Sequence, residues 1–385
     1  MSTRRGWQRV KFGDVVRNVS ESIAYPVSAS VERAVGLEHL DPGELVVSRW
    51  AATGDGLTFT RRFRARQVLF GRRRAYQRKV AIADFDGVCS GDIYVLEPSS
   101  ERLIADLLPF IVQSDPFFRY ALRTSAGSLS PRTKWIDLKN FELDLPPVDE
   151  QREIAEVLWA GQRTAGAMAM QVRALANARK SLFDYRLQRV HGELARLQDV
   201  WSSSPKSGCS APPVDEETGH FVLSLAALAA EGYRPGQLKR VKPTREMLLA
   251  CLSKGDLLVS RSNTREMVGF AAVFPEDRAD VSFPDTMMRV SLNPDRVLTD
   301  YIEAILMSRD GRRHIQSVAA GTSASMKKIN RKSLGSLRLV VPPLEVQGAL
   351  VRELADLRAS ESIASRQRDR VRSTVARMRE ELLTA

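Results

Sequence analysis

The sequence predicts an α+β fold in which two similar mixed α/β domains are each followed by a long helix, and the two helices pair as an antiparallel coiled coil. A stretch that opens with two prolines occurs near the middle of the 385-residue chain and again 196 residues later. After each occurrence, apolar residues recur at alternating spacings of four and three, which is the seam of a coiled coil. Hydrophobic residues make up 43% of the chain and charged residues 27%, enough apolar material for real cores.

The repeat extends upstream of the paired prolines. "LPPVDEQREIAEVL" (Leu145–Leu158) matches "VPPLEVQGALVREL" (Val341–Leu354). Further back, "SAGS" (Ser125–Ser128) matches "AAGT" (Ala319–Thr322) at an offset of 194 residues. Small changes in offset are expected where loops between equivalent elements differ in length. The common order of the matches therefore predicts two copies of one unit.

Each copy is expected to contain a mixed α/β domain and then a helix. Short runs such as "KVAIA" and "VGFAAVF" alternate with Gly, Asp and Pro, which is typical of short strands joined by turns. Residues 202–219 are rich in Ser, Pro and Gly and favour a linker. The predicted bounds are 1–145 for the first domain, 146–198 for the central helix, 199–219 for the linker, 220–341 for the second domain and 342–385 for the C-terminal helix.

Both paired-proline stretches are predicted helix starts, because proline is tolerated in a first turn whose amides have no intrahelical partner. The second helix keeps the apolar phase of the first, and only Glu361 and Arg368 interrupt it. A single apolar stripe more often marks a core-facing helix, but two stripes in matching phase favour pairing with each other. The predicted seam residues are Ile154, Leu158, Met168, Val172, Leu175 and Leu182 in the first helix and Leu350, Leu354, Leu357, Val371, Val375, Met378 and Leu382 in the second.

Charge and cysteine content limit the partners and the compartment. A formal charge of +12 and a sequence pI of about 9.9 favour an anionic partner, most simply nucleic acid. The three cysteines form no CxxC pair, which predicts reduced thiols in the cytoplasm. The first residues lack the apolar core of a signal peptide, and no run reaches the roughly 20 apolar residues of a membrane span. We therefore expect a cytoplasmic protein with no membrane partner.

The densest basic run, from Arg61 to Lys79, is interleaved with aromatic residues, and its counterpart in the second copy lies around Arg261. Arg and Lys neutralise phosphates, while Arg can pair with guanine and Asn with adenine in the major groove. For any single arginine, a solvated basic surface is the commoner explanation. The predicted DNA-binding residues are Arg61, Arg62, Arg64, Arg72, Arg73, Arg74, Tyr76, Lys79, Ser128, Arg132 and Lys134 in the first copy and Arg261, Asn263, Arg265, Thr322, Ser323, Lys327 and Lys328 in the second.

The chain resembles a known family, the specificity subunits of type I restriction–modification systems. The resemblance covers nearly the whole chain. It rests on the repeated Pro-Pro-x-x-x-Gln helix start and on the strand-like stretches "LFGRRRAYQRKVAIADFDGVCSGD" (Leu69–Asp92) and "KGDLLVSRSNTREMVGFA" (Lys254–Ala271). The second copy departs from the family pattern at Val346, where the first copy has Glu150.

The resemblance implies a subunit that recognises DNA, catalyses nothing and needs no cofactor. It implies two target-recognition domains that read the two halves of a bipartite target, with the helices acting as a ruler for the spacing. The implied partners are double-stranded DNA, two copies of a DNA adenine methyltransferase subunit and, in a restricting complex, motor and nuclease subunits.

Sequence patterns for catalysis or metal binding are missing. The chain has no GxxxxGK[ST] phosphate loop and no Asn/Asp-Pro-Pro-Tyr/Phe stretch, and its four histidines are scattered without metal-ligand spacing. These absences argue against a nuclease or a methyltransferase that acts alone. The alternative function is a non-catalytic coiled-coil scaffold, or a protein that binds nucleic acid without sequence choice.

Overall fold

The computed structural model describes residues 6–27, 30–56, 58–127, 130–321 and 326–383. The contacts within the chain divide it into two units: unit 1 holds residues 1–169 and 366–385, and unit 2 holds residues 170–365. Each long helix therefore contributes one part to each unit.

Among the described residues, unit 1 is built around two four-stranded sheets. Its strands are β1 (Gln8–Lys11), β2 (Val16–Val19), β3 (Arg33–Val35), β4 (Ala51–Ala52), β5 (Arg61–Phe63), β6 (Val68–Gly71), β7 (Val80–Ile82), β8 (Gly87–Cys89), β9 (Ile93–Pro98) and β10 (Glu142–Leu145). Its helices are α1 (Phe12–Val15), α2 (Leu108–Gln113), α3 (Asp115–Arg123), α4 (Trp135–Leu138) and the first part of α5 (Val148–Leu187). The sheets have the orders β2-β9-β6-β7 and β4-β3-β8-β5, and β1 pairs with β10.

The strand β6 lies at the centre of the first sheet because it is apolar and buried on both faces. It pairs antiparallel with β9 on one side and β7 on the other. From it, Phe70 packs against Phe117, with ring centroids 5.6 Å apart, and Phe117 also contacts Phe12 at 5.1 Å. Burial of one such side chain contributes about 1.5–3 kcal/mol, so this aromatic cluster holds α1 and α3 on the sheet.

Unit 2 repeats this arrangement. Its strands are β11 (Glu193–Arg196), β12 (Trp201–Ser207), β13 (Phe221–Leu223), β14 (Leu228–Ala229), β15 (Gly232–Tyr233), β16 (Leu238–Arg240), β17 (Leu257–Ser260), β18 (Ser262–Asn263), β19 (Ala271–Val273), β20 (Val281–Ser282), β21 (Met287–Leu292), β22 (Lys327–Lys328) and β23 (Arg338–Val341). Its helices are α6 (Arg245–Leu249), α7 (Thr299–Met307), α8 (Arg309–Val318), α9 (Arg331–Gly335), the last part of α5 and the first part of α10 (Leu344–Leu383), whose last part lies in unit 1. The larger sheets have the orders β12-β21-β17-β19 and β16-β13-β20.

The two copies share the topology of their larger sheets. The order β2-β9-β6-β7 in unit 1 is equivalent to β12-β21-β17-β19 in unit 2, and in each unit one further pair is parallel, β3 with β8 and β13 with β20. Equivalent serines also begin equivalent helices: Ser114 Oγ accepts a hydrogen bond from the Phe117 amide, and Ser308 Oγ accepts one from the Gly311 amide. The repeat read from the sequence is therefore a repeat of structure.

The predicted linker and helix ends require correction. The strand β11 pairs with β23 as β1 pairs with β10, so the second copy begins at Glu193 and not at residue 220. Residues 199–219, predicted as a linker, contain the strand β12, which pairs with β21. This strand lies at the edge of its sheet and exposes several serines, which explains its polar composition. The central helix ends at Leu187 rather than at residue 198, and the C-terminal helix runs from Leu344 to Leu383.

The long helices α5 and α10 pack antiparallel in each unit. In unit 1 the early part of α5 meets the late part of α10, where a Cβ added to Gly161 would lie 2.4 Å from Val375 Cγ2. In unit 2 the late part of α5 meets the early part of α10, where Arg179 Nε lies 3.1 Å from Glu361 Oε2. All thirteen predicted seam residues are buried or half-buried, as a seam between packed helices requires.

A buried glutamine fixes the start of α5 to the domain that precedes it. Gln151 is fully buried, and its side-chain amide donates to the carbonyl oxygens of Arg102 at 2.6 Å and Pro146 at 2.8 Å. Its Oε1 atom accepts a hydrogen bond of 3.0 Å from the amide of Ile104. The side chain thereby satisfies backbone groups that would otherwise be buried without partners.

The second copy repeats the same three hydrogen bonds. Gln347 is fully buried and donates to the carbonyl oxygens of Arg296 and Pro342, at 2.9 and 2.8 Å. Its Oε1 atom accepts from the amide of Leu298 at 2.9 Å. The Gln of the repeated Pro-Pro-x-x-x-Gln motif is thus a structural residue that joins each helix to its domain.

Candidate nucleic-acid interface

The second half of the basic run in the first copy, from Arg72 to Lys79, forms the loop that joins β6 to β7. Arg74 and Arg78, at the two ends of a 3-10 turn over Ala75–Gln77, both have left-handed backbones, with φ of 55° and 53°. Residues other than glycine seldom adopt this left-handed backbone conformation. The turn places Tyr76 outward, with 55% of the residue exposed. The loop is therefore a shaped projection with an aromatic residue at its tip.

Backbone hydrogen bonds join this loop to two distant segments. The amide of Arg72 donates to the carbonyl of Asp92, and the amide of Thr133 donates to the carbonyl of Arg72, both at 2.9 Å. One residue further along, Arg73 and Arg132 form an isolated antiparallel bridge. Basic residues about 60 positions apart in the chain are thereby brought side by side.

The side chains of this cluster converge on Asp92 and Ser130. Arg132 Nε donates to Asp92 Oδ1 at 2.9 Å, and Arg73 Nη1 lies 3.5 Å from Asp92 Oδ2. The Nε atoms of Arg73 and Arg74 both donate to Ser130 Oγ, at 2.9 and 3.2 Å. We call Arg73, Asp92, Ser130 and Arg132 the Asp92 cluster.

The carboxylate of this cluster is held in its ionised form. Burial alone would raise the pKa of Asp92, but the hydrogen bond from Arg132 and the positive charges of Arg132, Arg73 and Arg72 outweigh it and lower that pKa. The same hydrogen bond raises the pKa of Arg132. Asp92 and Arg132 therefore both keep their charge at neutral pH.

Arg72 has a different role, because its side chain packs inward. Its guanidinium carbon lies 5.1 Å from the centre of the Tyr94 ring, and Nη1 donates to the Tyr94 hydroxyl at 3.3 Å. That hydroxyl donates in turn to the carbonyl of Thr133 at 3.2 Å. Arg72 therefore stabilises the loop through Tyr94, and its charge is less available to a ligand than that of Arg73.

Unit 2 builds the same backbone arrangement with other side chains. The amide of Arg261 donates to the carbonyl of Thr286 at 2.8 Å, and the amide of Ile329 donates to the carbonyl of Arg261 at 2.9 Å. The next residues pair as in unit 1, with Ser262 opposite Lys328. Arg261 is therefore equivalent to Arg72, Ser262 to Arg73 and Lys328 to Arg132.

The remaining predicted residues of the second copy lie on or beside this pairing. Asn263 is opposite Lys327, and its Oδ1 atom accepts from the amide of Thr264 at 2.9 Å. Lys327 Nζ donates to the carbonyl of Gly321 at 2.5 Å. Arg265 is exposed in the loop that follows. Asn263, Lys327 and Lys328 thus lie on one small two-stranded ribbon. In the sequence, Asn263 is more than 60 residues away from the two lysines.

Other predicted residues of the first copy lie outside the Asp92 cluster. Three of them are on or next to β5 of the second sheet and have polar partners there: Arg61 with Asn18, Arg62 with Asp86 and Arg64 with Glu21. Lys79 Nζ donates to the carbonyl of Leu37 at 2.6 Å, whereas Lys134 is exposed. Ser128, Thr322 and Ser323 lie outside the described residues.

Sequence reasoning missed the acceptors that organise the arginines. None of Asp92, Ser130 and Tyr94 was singled out as a functional residue. Two features of the sequence could have indicated the acceptors: a carboxylate immediately before β9, and a Ser-Pro-Arg sequence after the Gly-Ser pair. It also missed Arg179, whose heptad position carries a charge opposite to that of Glu361.

The residues that the structure describes contain no group of three or more His, Cys, Asp or Glu side chains that could hold a metal ion. In the same part of the chain, none of the helices combines the length and apolar character that a membrane crossing requires.

Comparison with known proteins gives a consistent set of relatives. A model of the type I restriction modification DNA specificity domain matches residues 53–164. The specificity subunit of the type I restriction enzyme EcoDI of Escherichia coli is 26% identical over 163 residues, which cover 40% of this chain and 34% of that protein. The specificity subunit of EcoKI, from Escherichia coli strain K12, is 25% identical over 309 residues, which cover 74% of this chain and 64% of that protein. The chain thus spans less than two thirds of the length of either relative.

The fold is similar to that of a chain in a solved structure described as the structural basis of complex assembly and conformational transition of a type I R-M system. The TM-score is 0.53 at 17% identity, with 99% of this chain and 97% of the other covered. At this level of identity the similarity concerns the fold alone.

Proposed function

We propose that the chain is a specificity subunit of a type I restriction–modification system, and that it reads a bipartite target in double-stranded DNA without catalysing a reaction itself. The observation that carries this proposal is the matched pair of loops. The same backbone hydrogen bonds present Arg73 and Arg132 in unit 1 but Ser262 and Lys328 in unit 2. Equivalent frameworks with unlike side chains suit a protein that reads two different half-sites.

The paired helices are the proposed ruler between the half-sites. A helix of 40 residues, such as α5 or α10, is about 60 Å long at 1.5 Å per residue. One turn of duplex DNA separates half-sites by about 34–36 Å. Helices of this length can therefore set a fixed spacing and still offer surface to other subunits.

The proposed partners follow from the internal repeat. A chain with two equivalent copies presents equivalent surfaces twice, which favours two copies of one partner. We take that partner to be a DNA adenine methyltransferase subunit, joined in a restricting complex by motor and nuclease subunits.

The cysteines fit a cytoplasmic protein, because all three are free thiols. Burial raises the pKa of Cys89 to about 12, so this thiol stays unreactive.

The test is DNA protection by the chain assembled with its methyltransferase subunit. We expect two short protected stretches of unlike sequence with a fixed gap, and an affinity whose logarithm falls by about 0.9 per phosphate neutralised for each tenfold rise in salt. The chain alone, given duplex DNA and S-adenosylmethionine, should transfer no methyl group. Protection without sequence preference would favour the scaffold or non-specific binder, and methyl transfer by the chain alone would favour an enzyme.

A further inference from the structure

The matched loops of the two copies differ in charge: unit 1 has a carboxylate between its basic side chains. Asp92 contacts both Arg73 and Arg132. The equivalent backbone position in unit 2, the carbonyl donor to Arg261, is Thr286. Unit 2 also has Ser262 and Lys328 in place of the two arginines, so the carboxylate and the pair of guanidinium groups occur together in unit 1 and not at the equivalent positions of unit 2.

A carboxylate at this point changes what the arginines can bind. Two guanidinium groups and one ionised carboxylate leave a net charge of one, and the carboxylate would repel a phosphate bound beside it. A carboxylate is useful where the orientation of the arginines matters more than their charge. Its hydrogen bonds hold the side chain that contacts the ligand in one geometry. A neutral base edge is such a ligand, and Arg pairs with the O6 and N7 atoms of guanine through two donors.

The side chains retain the donors that this pairing needs. Arg132 uses Nε on Asp92, and Arg73 uses Nε on Ser130 and Nη1 on Asp92. Each guanidinium carries five N–H donors, so both retain terminal N–H groups for a ligand. The side chains are also accessible, with 38% of Arg73 and 47% of Arg132 exposed.

We propose that the Asp92 cluster is a guanine-reading site, in which Asp92 and Ser130 orient Arg73 and Arg132 toward the major-groove edge of guanine in the half-site read by unit 1. This proposal rests on the proposed function, since it presumes that unit 1 lies on DNA. Asp92 is a positioning residue, and Arg73 and Arg132 make the base contacts. Arg74 shares Ser130 but has no carboxylate partner among the described residues, and it contacts a phosphate.

The experiment is selection of binding sites from a randomised duplex library by the complex with the methyltransferase subunit, together with affinity for the unselected library. The informative variant is Arg73→Lys, which keeps the charge and loses the planar fork. It should reduce the preference for guanine at one position of one half-site by about 5- to 150-fold, with an unchanged salt dependence. Asp92→Asn should reduce the same preference and tighten binding to the unselected library, because it removes a negative charge.

The matched control is Arg74→Ala, which should weaken binding to all sequences alike and make the salt slope shallower by about one phosphate. The proposal is overturned if Arg73→Lys leaves the guanine preference intact, or if Asp92→Asn does so while the complex assembles normally. A wild-type complex that selects no sequence would overturn the proposed function and this proposal with it. If the wild-type complex selects a sequence and either variant keeps the guanine preference, this proposal alone is overturned.

Discussion

At the scale of single residues, the Gln of the repeated helix start matters more than its acidic neighbour. In the first copy Glu150 accepts hydrogen bonds from the indole of Trp7, at 3.1 Å to each carboxylate oxygen. The second copy has Val346 there. The residue equivalent to Trp7 is Gly192, which immediately precedes β11 as Trp7 precedes β1, and Gly192 lies against the backbone of Val341. The acidic partner was lost without loss of the fold, whereas the buried glutamine kept all three of its hydrogen bonds.

We predict that Gln347→Ala destabilises the protein by about 2–4 kcal/mol, because it leaves one buried amide and two buried carbonyl groups without their partner. The matched change Gln151→Ala should have a similar cost. Gln171→Ala, at an exposed position of α5, should change the free energy of unfolding by less than about 0.5 kcal/mol. Denaturant unfolding measures all three, and equal costs at Gln347 and Gln171 would contradict the structural role.

The motif itself could be read from the sequence, but its partners could not. Gln151 and Gln347 stood out because the paired prolines precede each at the same spacing. One carbonyl acceptor of each lies within the motif, but the other acceptor and the amide donor lie 47 to 51 residues earlier in the chain, in loops with no marked sequence pattern. The same holds for Asp92, whose role depends on a pairing between two segments that only the fold brings together.

At the scale of elements, the seam of the helix pair carries one buried ion pair. Arg179 and Glu361 are 8% and 12% exposed, and both occupy heptad positions. A buried polar pair can cost stability relative to apolar packing and still fix register, because any other register leaves a charge unpaired. The sequence showed Glu361 as an interruption of the stripe, and the structure supplies its partner.

We expect Arg179→Leu to destabilise unit 2 by about 3–5 kcal/mol, since it leaves the Glu361 carboxylate buried and unpaired, while the double change Arg179→Leu with Glu361→Leu should recover most of that loss. The control is the exposed pair Arg186 and Glu353 on the same two helices, where Arg186→Leu should cost less than about 1 kcal/mol. Thermal unfolding in a double-mutant cycle provides the comparison. A double variant as unstable as the single one would show that the pair does more than satisfy its own charges.

Element boundaries were the part of the fold that the sequence predicted least well. The apolar stripe of each long helix was visible in the sequence because a period of 3.5 residues persists over many turns and tolerates single exceptions. The start of the second copy was misplaced because β12 is an edge strand with exposed serines, and such a composition is also typical of a linker. An edge strand is specified by the strand it pairs with, here β21, more than by its own residues.

At the scale of the whole molecule, the proposed reading of two half-sites requires two equivalent copies that differ where they would contact DNA. The sequence predicted the duplication from the matching stretches, and the strand orders confirm it. It could not assign Arg72 inward and Arg73 outward, because adjacent arginines in one run look alike until β6 and its partners fix which side each one faces.

The most direct test of the two-reader account is to exchange residues 1–145 for the corresponding domain of a relative and to map methylated adenines across the genome of cells that also express the methyltransferase subunit. The account predicts that one half of the bipartite target changes while the other half and the spacing between them stay the same. A change in both half-sites, or methylation at continuous rather than bipartite sites, would contradict it.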